Sequence, residues 1–218
     1  MKLVHTIDLV GNGSGIISLS LNHEPHTLLA YPSTVNTGEI ILYDIDKSRI
    51  INAIQAHKTS ISCLVLNNDS SLLGCCSEKG TVIRIYRLPD CTRLYQFRRG
   101  NIPTTIFSIA FSPNSRFFSV SSDSTVHIFK LEYSSSELGG LRKSITSYLP
   151  GIISEAFEPF RDFARIKLSS PVLNISSFNS ESSQVYIVTR DGFFFQYLLD
   201  VDSGGECELS HQFRTETQ

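Results

Sequence analysis

The chain carries ISCLVLNNDSSLLGCCS at residues 61–77 and IFSIAFSPNSRFFSVSS at residues 106–122, two segments with the same layout. In each, apolar residues alternate with polar ones on both sides of a turn rich in Asn, Ser, Asp or Pro. This pattern is typical of two half-buried β-strands joined as a hairpin. The same layout occurs at residues 16–32 and 173–189. The sequence therefore predicts four copies of one hairpin unit.

A third apolar strand follows each hairpin, and most of these strands begin with a glycine or another small residue that suits a tight turn. They read GEIILYDI (38–45), GTVIRIYRL (80–88), STVHIFKL (124–131) and DGFFFQYLL (191–199). A weaker fourth strand comes next, for example TRLYQFRR (92–99). The hairpins begin at residues 16, 61, 106 and 173, so they are 45, 45 and 67 residues apart. A period of about 40 to 45 residues is typical of β-propeller blades, and the longer interval indicates an insertion.

These features predict an all-β, WD40-like β-propeller of about four blades, because sheets of this kind bury their apolar faces only against neighbouring sheets. The predicted units are residues 9–56, 57–100, 101–171 and 172–218, and the insertion occupies 133–163 of the third unit. A β-sandwich is the alternative fold. The chain contains no Trp, so it lacks the Trp-Asp dipeptide of ordinary WD40 repeats.

The composition argues against several classes of protein. With 218 residues, 41% of them hydrophobic, the chain can form one all-β domain, and its formal net charge of -2 gives no general field for nucleic acid. The five cysteines form no CxxC pair, so neither a zinc site nor a disulfide framework is predicted, and no cofactor is expected. No segment resembles a secretory signal or a membrane span, which favours a cytoplasmic protein.

Two adjacent arginines, Arg98 and Arg99, end the fourth strand of the second unit, just before the third unit begins. Because successive side chains of a strand point to opposite faces, the two should face different neighbouring blades. A guanidinium group is a rigid fork of donors that matches phosphate oxygens. Gly100 would let the chain turn sharply or a headgroup approach the backbone. The alternative is a solvated basic pair beside a turn.

Hydroxyl side chains recur on both sides of the two arginines, and hydroxyls can bond to phosphate and inositol oxygens. The pair in the second unit is Ser77 and Thr81, and its sequence counterpart in the third unit is Ser122 and Thr125. His57 would add a donor to the first pair, whereas Ile102 occupies the equivalent place beside the second. Two anion sites of unequal strength are therefore predicted. For His57 alone, a structural or exposed ring is the alternative.

The segment Phe97-Arg98-Arg99-Gly100 resembles the Phe/Leu-Arg-Arg-Gly motif of the PROPPIN family, β-propellers that bind phosphoinositides. Similarity to the family extends over nearly the whole chain. It includes LAYPS (29–33), AHKTSIS (56–62), SEKGTVIRIY (77–86), FSIAFSPN (107–114) and TVHIFKLE (125–132), and TSYLP (146–150) looks like the yeast-autophagy and human WIPI branch. The resemblance implies recruitment rather than catalysis.

The resemblance further implies recognition of phosphatidylinositol 3-phosphate and phosphatidylinositol 3,5-bisphosphate at two sites. The first site would comprise His57, Ser77, Thr81 and Arg98, and the second Arg99, Ser122 and Thr125. The family's basic residue shortly after the motif is absent from residues 101–104, so the second site is predicted to be weaker. Such a protein would act in autophagy or endolysosomal traffic, peripherally on autophagic, endosomal or vacuolar membranes, with an autophagy protein as a further candidate partner.

Family members have seven blades, and this chain matches only blades four to seven. Three explanations are open: the chain is a fragment, its start is misassigned, or a partner or second copy supplies the remaining blades. A propeller scaffold that binds only proteins, without lipid selectivity, is the alternative function. An enzyme is disfavoured because the six histidines stand in no HExxH, His-Cys or nucleophile-elbow context.

The insertion contains LPGIISEAFEPFRDF (149–163), whose apolar residues fall on one side of a helical wheel with charged residues opposite. In the family the equivalent loop inserts into membranes, and the residues predicted to do so here are Ile152, Ile153, Phe157, Phe160 and Phe163. Pro159 would interrupt such a helix, and its polar face is acidic. Docking of this segment on the propeller or on a protein partner is the alternative.

Overall fold

The computed structural model describes residues 6–8, 12, 14–20, 27–34, 36–131 and 161–214. All of the regular elements in these ranges are β-strands, and they form four sheets. The predicted all-β class is therefore confirmed, and the strands divide among four sheets where a sandwich would have two. In the described part of the chain, no helix is long and apolar enough to cross a membrane.

The first two sheets are four-stranded and antiparallel, with their strands in chain order. The first contains β1 (Ser18–Leu19), β2 (Leu28–Pro32), β3 (Gly38–Asp44) and β4 (Arg49–His57). The second contains β5 (Ile61–Leu66), β6 (Leu72–Ser77), β7 (Val82–Arg87) and β8 (Thr92–Arg98). His57 thus ends the last strand of the first sheet, although the repeat period assigns it to the second unit.

A short strand from the chain segment of the fourth sheet pairs with the third sheet. The third contains β9 (Ser108–Phe111), β10 (Phe117–Ser121), β11 (Thr125–Lys130) and β12 (Ala164–Lys167), and the insertion separates β11 from β12. The fourth contains β13 (Asn174–Phe178), β14 (Gln184–Thr189), β15 (Phe193–Leu198) and β17 (Glu208–Arg214). Between β15 and β17, the chain adds β16 (Gly205–Glu206) parallel to β12. The last two sheets are therefore joined both by backbone hydrogen bonds and by side-chain packing.

Three apolar layers lie between consecutive sheets, because each sheet directs alternate apolar side chains to both of its faces. In the layer between the second and third sheets, the rings of Phe97 and Phe129 stack with centroids 4.5 Å apart. Leu42 and Leu73 belong to the layer before it, and Ile128 and Ile187 to the layer after it. Burying one such side chain contributes about 1.5–3 kcal/mol, so these layers fix how the sheets stack.

The outward faces of the first and fourth sheets are also apolar. Strand register aligns Ile175, Val188, Phe194 and Phe213 in one row across the fourth sheet, and Ile175, Val188 and Phe213 are exposed. On the first sheet, the apolar side chains of Leu19 and Ile50 are likewise exposed. The pattern that packs the four sheets against one another thus continues on the two outermost faces.

Candidate functional site

Arg98 is the last residue of β8 and lies opposite Val82 of β7. Its side chain shares a face of the second sheet with Arg84, because cross-strand partners and alternate residues point the same way. Arg84 Nη1 donates a hydrogen bond to the carbonyl of Ala56 in β4, so this face looks toward the first sheet. Arg98 is exposed, and its guanidinium has no hydrogen-bond partner among the residues that the structure describes.

Arg99 points the other way, toward the third sheet, as the strand alternation predicts. Its Nε donates a hydrogen bond to the carbonyl of Gly80 at 3.1 Å, and its Nη2 donates to the carbonyl of Ile102 at 2.8 Å. Burial lowers the pKa of Arg99, and the negative charge of Asp123, in the β10–β11 turn, offsets part of this effect. Arg99 therefore lies at the seam between the second and third sheets with some of its donors already in use.

The β6–β7 turn that holds Arg99 is pinned to the chain that follows the motif. The backbone N–H of Thr104 donates to the carbonyl of Lys79 at 3.2 Å. Gly80 has a φ of 61°, and a Cβ there would lie 1.9 Å from the Thr104 carbonyl oxygen, so no side chain fits. At Gly100 the φ is not in the left-handed region, and a Cβ would meet no described atom within 4 Å. The space beside its backbone is open.

His57 lies near Arg84, at the contact between the first and second sheets. The histidine residue is 5% exposed, and its Nε2 is 3.4 Å from the Sγ of Cys75. Burial, and then the positive charge of Arg84, lower the pKa of His57 to about 4. His57 is therefore neutral at pH 7 and offers a ligand at most an uncharged N–H. The positive charge beside it belongs to Arg84, whose Nε donates to Gln96 Oε1 at 2.9 Å.

Ser77 and Thr81 flank the turn between β6 and β7. Ser77 is buried and its carbonyl accepts the N–H of Gly80 at 2.8 Å, whereas Thr81 is half-buried and its carbonyl accepts the N–H of Arg99 at 3.0 Å. Within the ranges that the structure describes, neither hydroxyl has a hydrogen-bond partner. The turn therefore holds the backbone of the arginine motif and leaves both hydroxyls available.

The hydroxyls of the second site are bonded to one another. Ser122 Oγ lies 2.9 Å from Thr125 Oγ1, which lies 3.2 Å from Nε2 of His127. His127 Nδ1 lies 2.9 Å from Asp162 Oδ2, and Arg165 Nε donates to the same oxygen at 2.9 Å. Burial alone would raise the pKa of Asp162, but its hydrogen bonds with His127 and Arg165 lower it to about 2. Ser122 is fully buried, so it lies behind Thr125 and orients that hydroxyl.

The sequence comparison pairs Thr81 with Thr125, but the strand register does not. Cys76 pairs with Ile83 in the second sheet, whereas Ser121 pairs with Val126 in the third, so the β6–β7 turn is two residues longer. Val82 is the register equivalent of Thr125. The register equivalent of Arg84 is His127, and sequence analysis missed both basic residues. The strand alternation that places Arg98 could have found Arg84, since the two lie on one face.

The predicted membrane segment falls mostly on residues that the structure leaves out. Ile152, Ile153, Phe157 and Phe160 lie outside the described residues. Phe163 is described, and its ring stacks on Phe117 with centroids 5.7 Å apart while Lys130 Nζ lies 4.8 Å from its centroid. Phe163 therefore packs on the third sheet, in contrast to the predicted position on a free apolar helix face.

The comparisons with known proteins agree with this architecture. The PROPPIN family model matches residues 1–214. Autophagy-related protein 18 of Dictyostelium discoideum is 37% identical over 235 residues, which cover 98% of this chain and 63% of that protein. The Yarrowia lipolytica protein of the same name is 35% identical and covers 98% of this chain and 68% of its own length. The chain thus spans about 63% of the first of these relatives.

Solved structures show the same fold at lower sequence identity. A complex of KlAtg21 with the coiled coil of AgAtg16 aligns with a TM-score of 0.76 and 24% identity, over 99% of this chain and 63% of that chain. Hsv2 from Kluyvelomyces marxianus aligns with a TM-score of 0.69 and 19% identity, over 92% of this chain and 59% of that chain. These similarities confirm the predicted β-propeller fold. The family model that matches residues 1–214 establishes that the chain belongs to the PROPPIN family.

Proposed function

We propose that this protein binds phosphorylated inositol headgroups through Arg98 and Arg99 and so brings a propeller to membranes in autophagy or endolysosomal traffic. The observation that carries the proposal is the position of the two guanidinium groups. They lie at the end of one strand, on opposite faces, at two successive seams between sheets. Two headgroups can then bind side by side without sharing an arginine.

In the first site, Arg98 supplies the charge that the other groups lack. Its guanidinium is exposed and can turn a planar pair of donors toward a phosphate. Arg84 adds positive potential, but its Nε and Nη1 are bonded to Gln96 and Ala56. Neutral His57 and the hydroxyl of Thr81 suit inositol and phosphate oxygens that need hydrogen bonds rather than charge.

The second site is weaker in this proposal. Arg99 donates from Nε and from Nη2 to the carbonyls of Gly80 and Ile102, so fewer of its donors are left for a ligand. The carboxylate of Asp123 also reduces the positive potential around Arg99. The hydroxyl of Thr125 remains for a ligand, oriented by Ser122, whereas both ring nitrogens of His127 are already bonded, to Thr125 and to Asp162. The absence of a basic residue at 101–104 points the same way.

The relatives support the cellular role. Proteins named Autophagy-related protein 18 share more than a third of the residues of this chain over nearly all of its length. We expect the preferred lipids to be phosphatidylinositol 3-phosphate and phosphatidylinositol 3,5-bisphosphate, and a coiled-coil autophagy protein to be a further partner, as in the solved KlAtg21 complex.

Flotation with liposomes tests the proposal. Vesicles containing phosphatidylinositol 3-phosphate should carry the protein upward, and vesicles with unphosphorylated phosphatidylinositol should not. Arg98→Thr combined with Arg99→Thr should abolish flotation, whereas Arg49→Thr, which removes an exposed strand arginine far from the motif, should leave it unchanged. Unchanged flotation of the double variant would refute the proposal and favour a scaffold that binds only proteins.

The insertion is tested separately. If residues 149–163 enter the bilayer, Phe157→Ser with Phe160→Ser should weaken flotation and leave binding of a soluble headgroup unchanged. Phe163 is unsuited to this test, because its ring packs on Phe117 and its loss would also disturb the third sheet. Loss of a protein partner by the same variant, with flotation intact, would instead place a protein contact at the insertion.

A further inference from the structure

Two cysteines of the second sheet lie side by side. Cys63 of β5 and Cys76 of β6 are direct cross-strand partners and lie in the same apolar layer. The Cys63 thiol donates a hydrogen bond to the Ile106 carbonyl at 3.5 Å, and the Cys76 Sγ lies 3.3 Å from the Oγ of Ser62. Cross-strand partners have Cα atoms about 4.5–5.5 Å apart, within the range of about 4.4–6.8 Å that disulfides span. The positions of the two strands therefore already suit a bond between these sulfur atoms.

The two thiols differ in ways that suit successive steps of an oxidation. Cys63 is half-buried, whereas Cys76 is fully buried. A hydrogen bond that the Cys76 thiol can donate to the Cys63 thiolate lowers the pKa of Cys63, and this effect outweighs burial, which raises it. The same bond, together with burial, raises the pKa of Cys76 well above its usual value. Cys63 is thus the thiol that ionises first and is accessible to solvent, whereas Cys76 is buried and keeps its proton.

The other cysteines are placed differently. Cys75 packs toward the first sheet, on the opposite face from Cys76, and burial raises its pKa to about 12. Burial also raises the pKa of Cys91 and of Cys207 to about 11. Of the five cysteines, the pair formed by Cys63 and Cys76 therefore combines contact, access and ionisation.

We propose that Cys63 and Cys76 form a peroxide-sensitive pair that closes to a cross-strand disulfide. The Cys63 thiolate attacks one oxygen of hydrogen peroxide, the O–O bond breaks, and Cys63 becomes a sulfenic acid as one water leaves. The Cys76 sulfur then attacks the Cys63 sulfur, and its proton leaves with the hydroxyl group as a second water. Two thiols lose two electrons, and one peroxide is reduced to two waters. A dithiol reductant restores both thiols by exchange.

The link can be located by peptide mapping of the whole chain. The protein is treated with hydrogen peroxide and then unfolded in urea at pH 8 with iodoacetamide present, so that each free thiol is alkylated as it is exposed. It is then digested with trypsin and endoproteinase Asp-N. Trypsin leaves Cys63, Cys75 and Cys76 together in residues 59–79, and cleavage before Asp69 separates Cys63 from the other two. We expect peptides 59–68 and 69–79 joined by one disulfide, and free thiols falling from five to three.

Variants identify the partner. Cys75→Ala should keep the link, Cys63→Ala should prevent it, and Cys91→Ala, the control at another partly buried cysteine, should keep it. A link that depends on Cys75, or Cys63 that stays a free thiol or stops at sulfinic acid, would overturn the proposal. Should Cys63→Ala unfold the protein, the wild type decides. Its link should form faster in the native protein than in urea, and an equal rate would count against a built site.

Discussion

Replacing the two arginines one at a time separates their roles more sharply than replacing both. Arg98 is exposed and makes no hydrogen bond within the described chain, so Arg98→Thr should remove only ligand contacts. Arg99 holds the carbonyls of Gly80 and Ile102, so Arg99→Thr should also loosen the seam between the second and third sheets. Affinity and stability should therefore respond in opposite orders.

The magnitudes follow from the donors that each arginine has available. A hydrogen bond to a charged group contributes about 1.5–3 kcal/mol, and each 1.4 kcal/mol changes a dissociation constant about tenfold. Arg98 can give a phosphate two parallel donors, so its loss should cost about 3 kcal/mol, or roughly a hundredfold in affinity. Arg99 has fewer donors left, and its loss should cost about 1.5 kcal/mol, or roughly tenfold. Arg99→Thr also loses the partly buried bond to the Gly80 carbonyl and the exposed bond to the Ile102 carbonyl, which solvent weakens, so the free energy of unfolding should fall by about 1.5–3 kcal/mol.

Two measurements on each variant test this reasoning. Isothermal titration with a soluble inositol 1,3-bisphosphate headgroup reports affinity without the insertion, and urea unfolding reports stability. Arg98→Thr should lose more affinity at unchanged stability, and Arg99→Thr should lose less affinity at lower stability. Equal losses of affinity, or a larger loss for Arg99→Thr, would refute the asymmetry even if both arginines prove necessary.

Two further predictions concern stability. Gly80→Ala should lower the free energy of unfolding in urea by more than about 1 kcal/mol, because φ is 61° and the new Cβ meets the Thr104 carbonyl. The matched control, Gly100→Ala, should change the free energy of unfolding little. Equal effects of the two substitutions would contradict the open space at Gly100. His57 has a pKa of about 4 in the folded protein and about 6.5 unfolded, so the unfolded chain binds the extra proton between these values. Stability from this group is complete above pH 6.5 and falls by roughly 3 kcal/mol as the pH drops to 4. His57→Gln should flatten this part of the pH profile of urea unfolding, and an unchanged slope would show that His57 is not the group responsible.

Much of the fold follows from the sequence because its causes are local. A strand repeats every two residues, so alternating apolar residues around polar turns predict the hairpins and their four-fold recurrence. The same period places Arg98 and Arg99 on opposite faces once TRLYQFRR is recognised as a strand. Neither conclusion requires knowledge of what packs against the strand.

The two candidate sites depend on contacts between sheets. Only the tertiary structure determined these contacts. The longer β6–β7 turn shifts the register, so that Val82 rather than Thr81 matches Thr125 and Arg84 matches His127. Burial against the first sheet makes His57 neutral, and bonding behind Thr125 takes Ser122 out of reach. Residue spacing determines which side chains share a face, but turn length and the neighbouring sheet determine which of them a ligand meets.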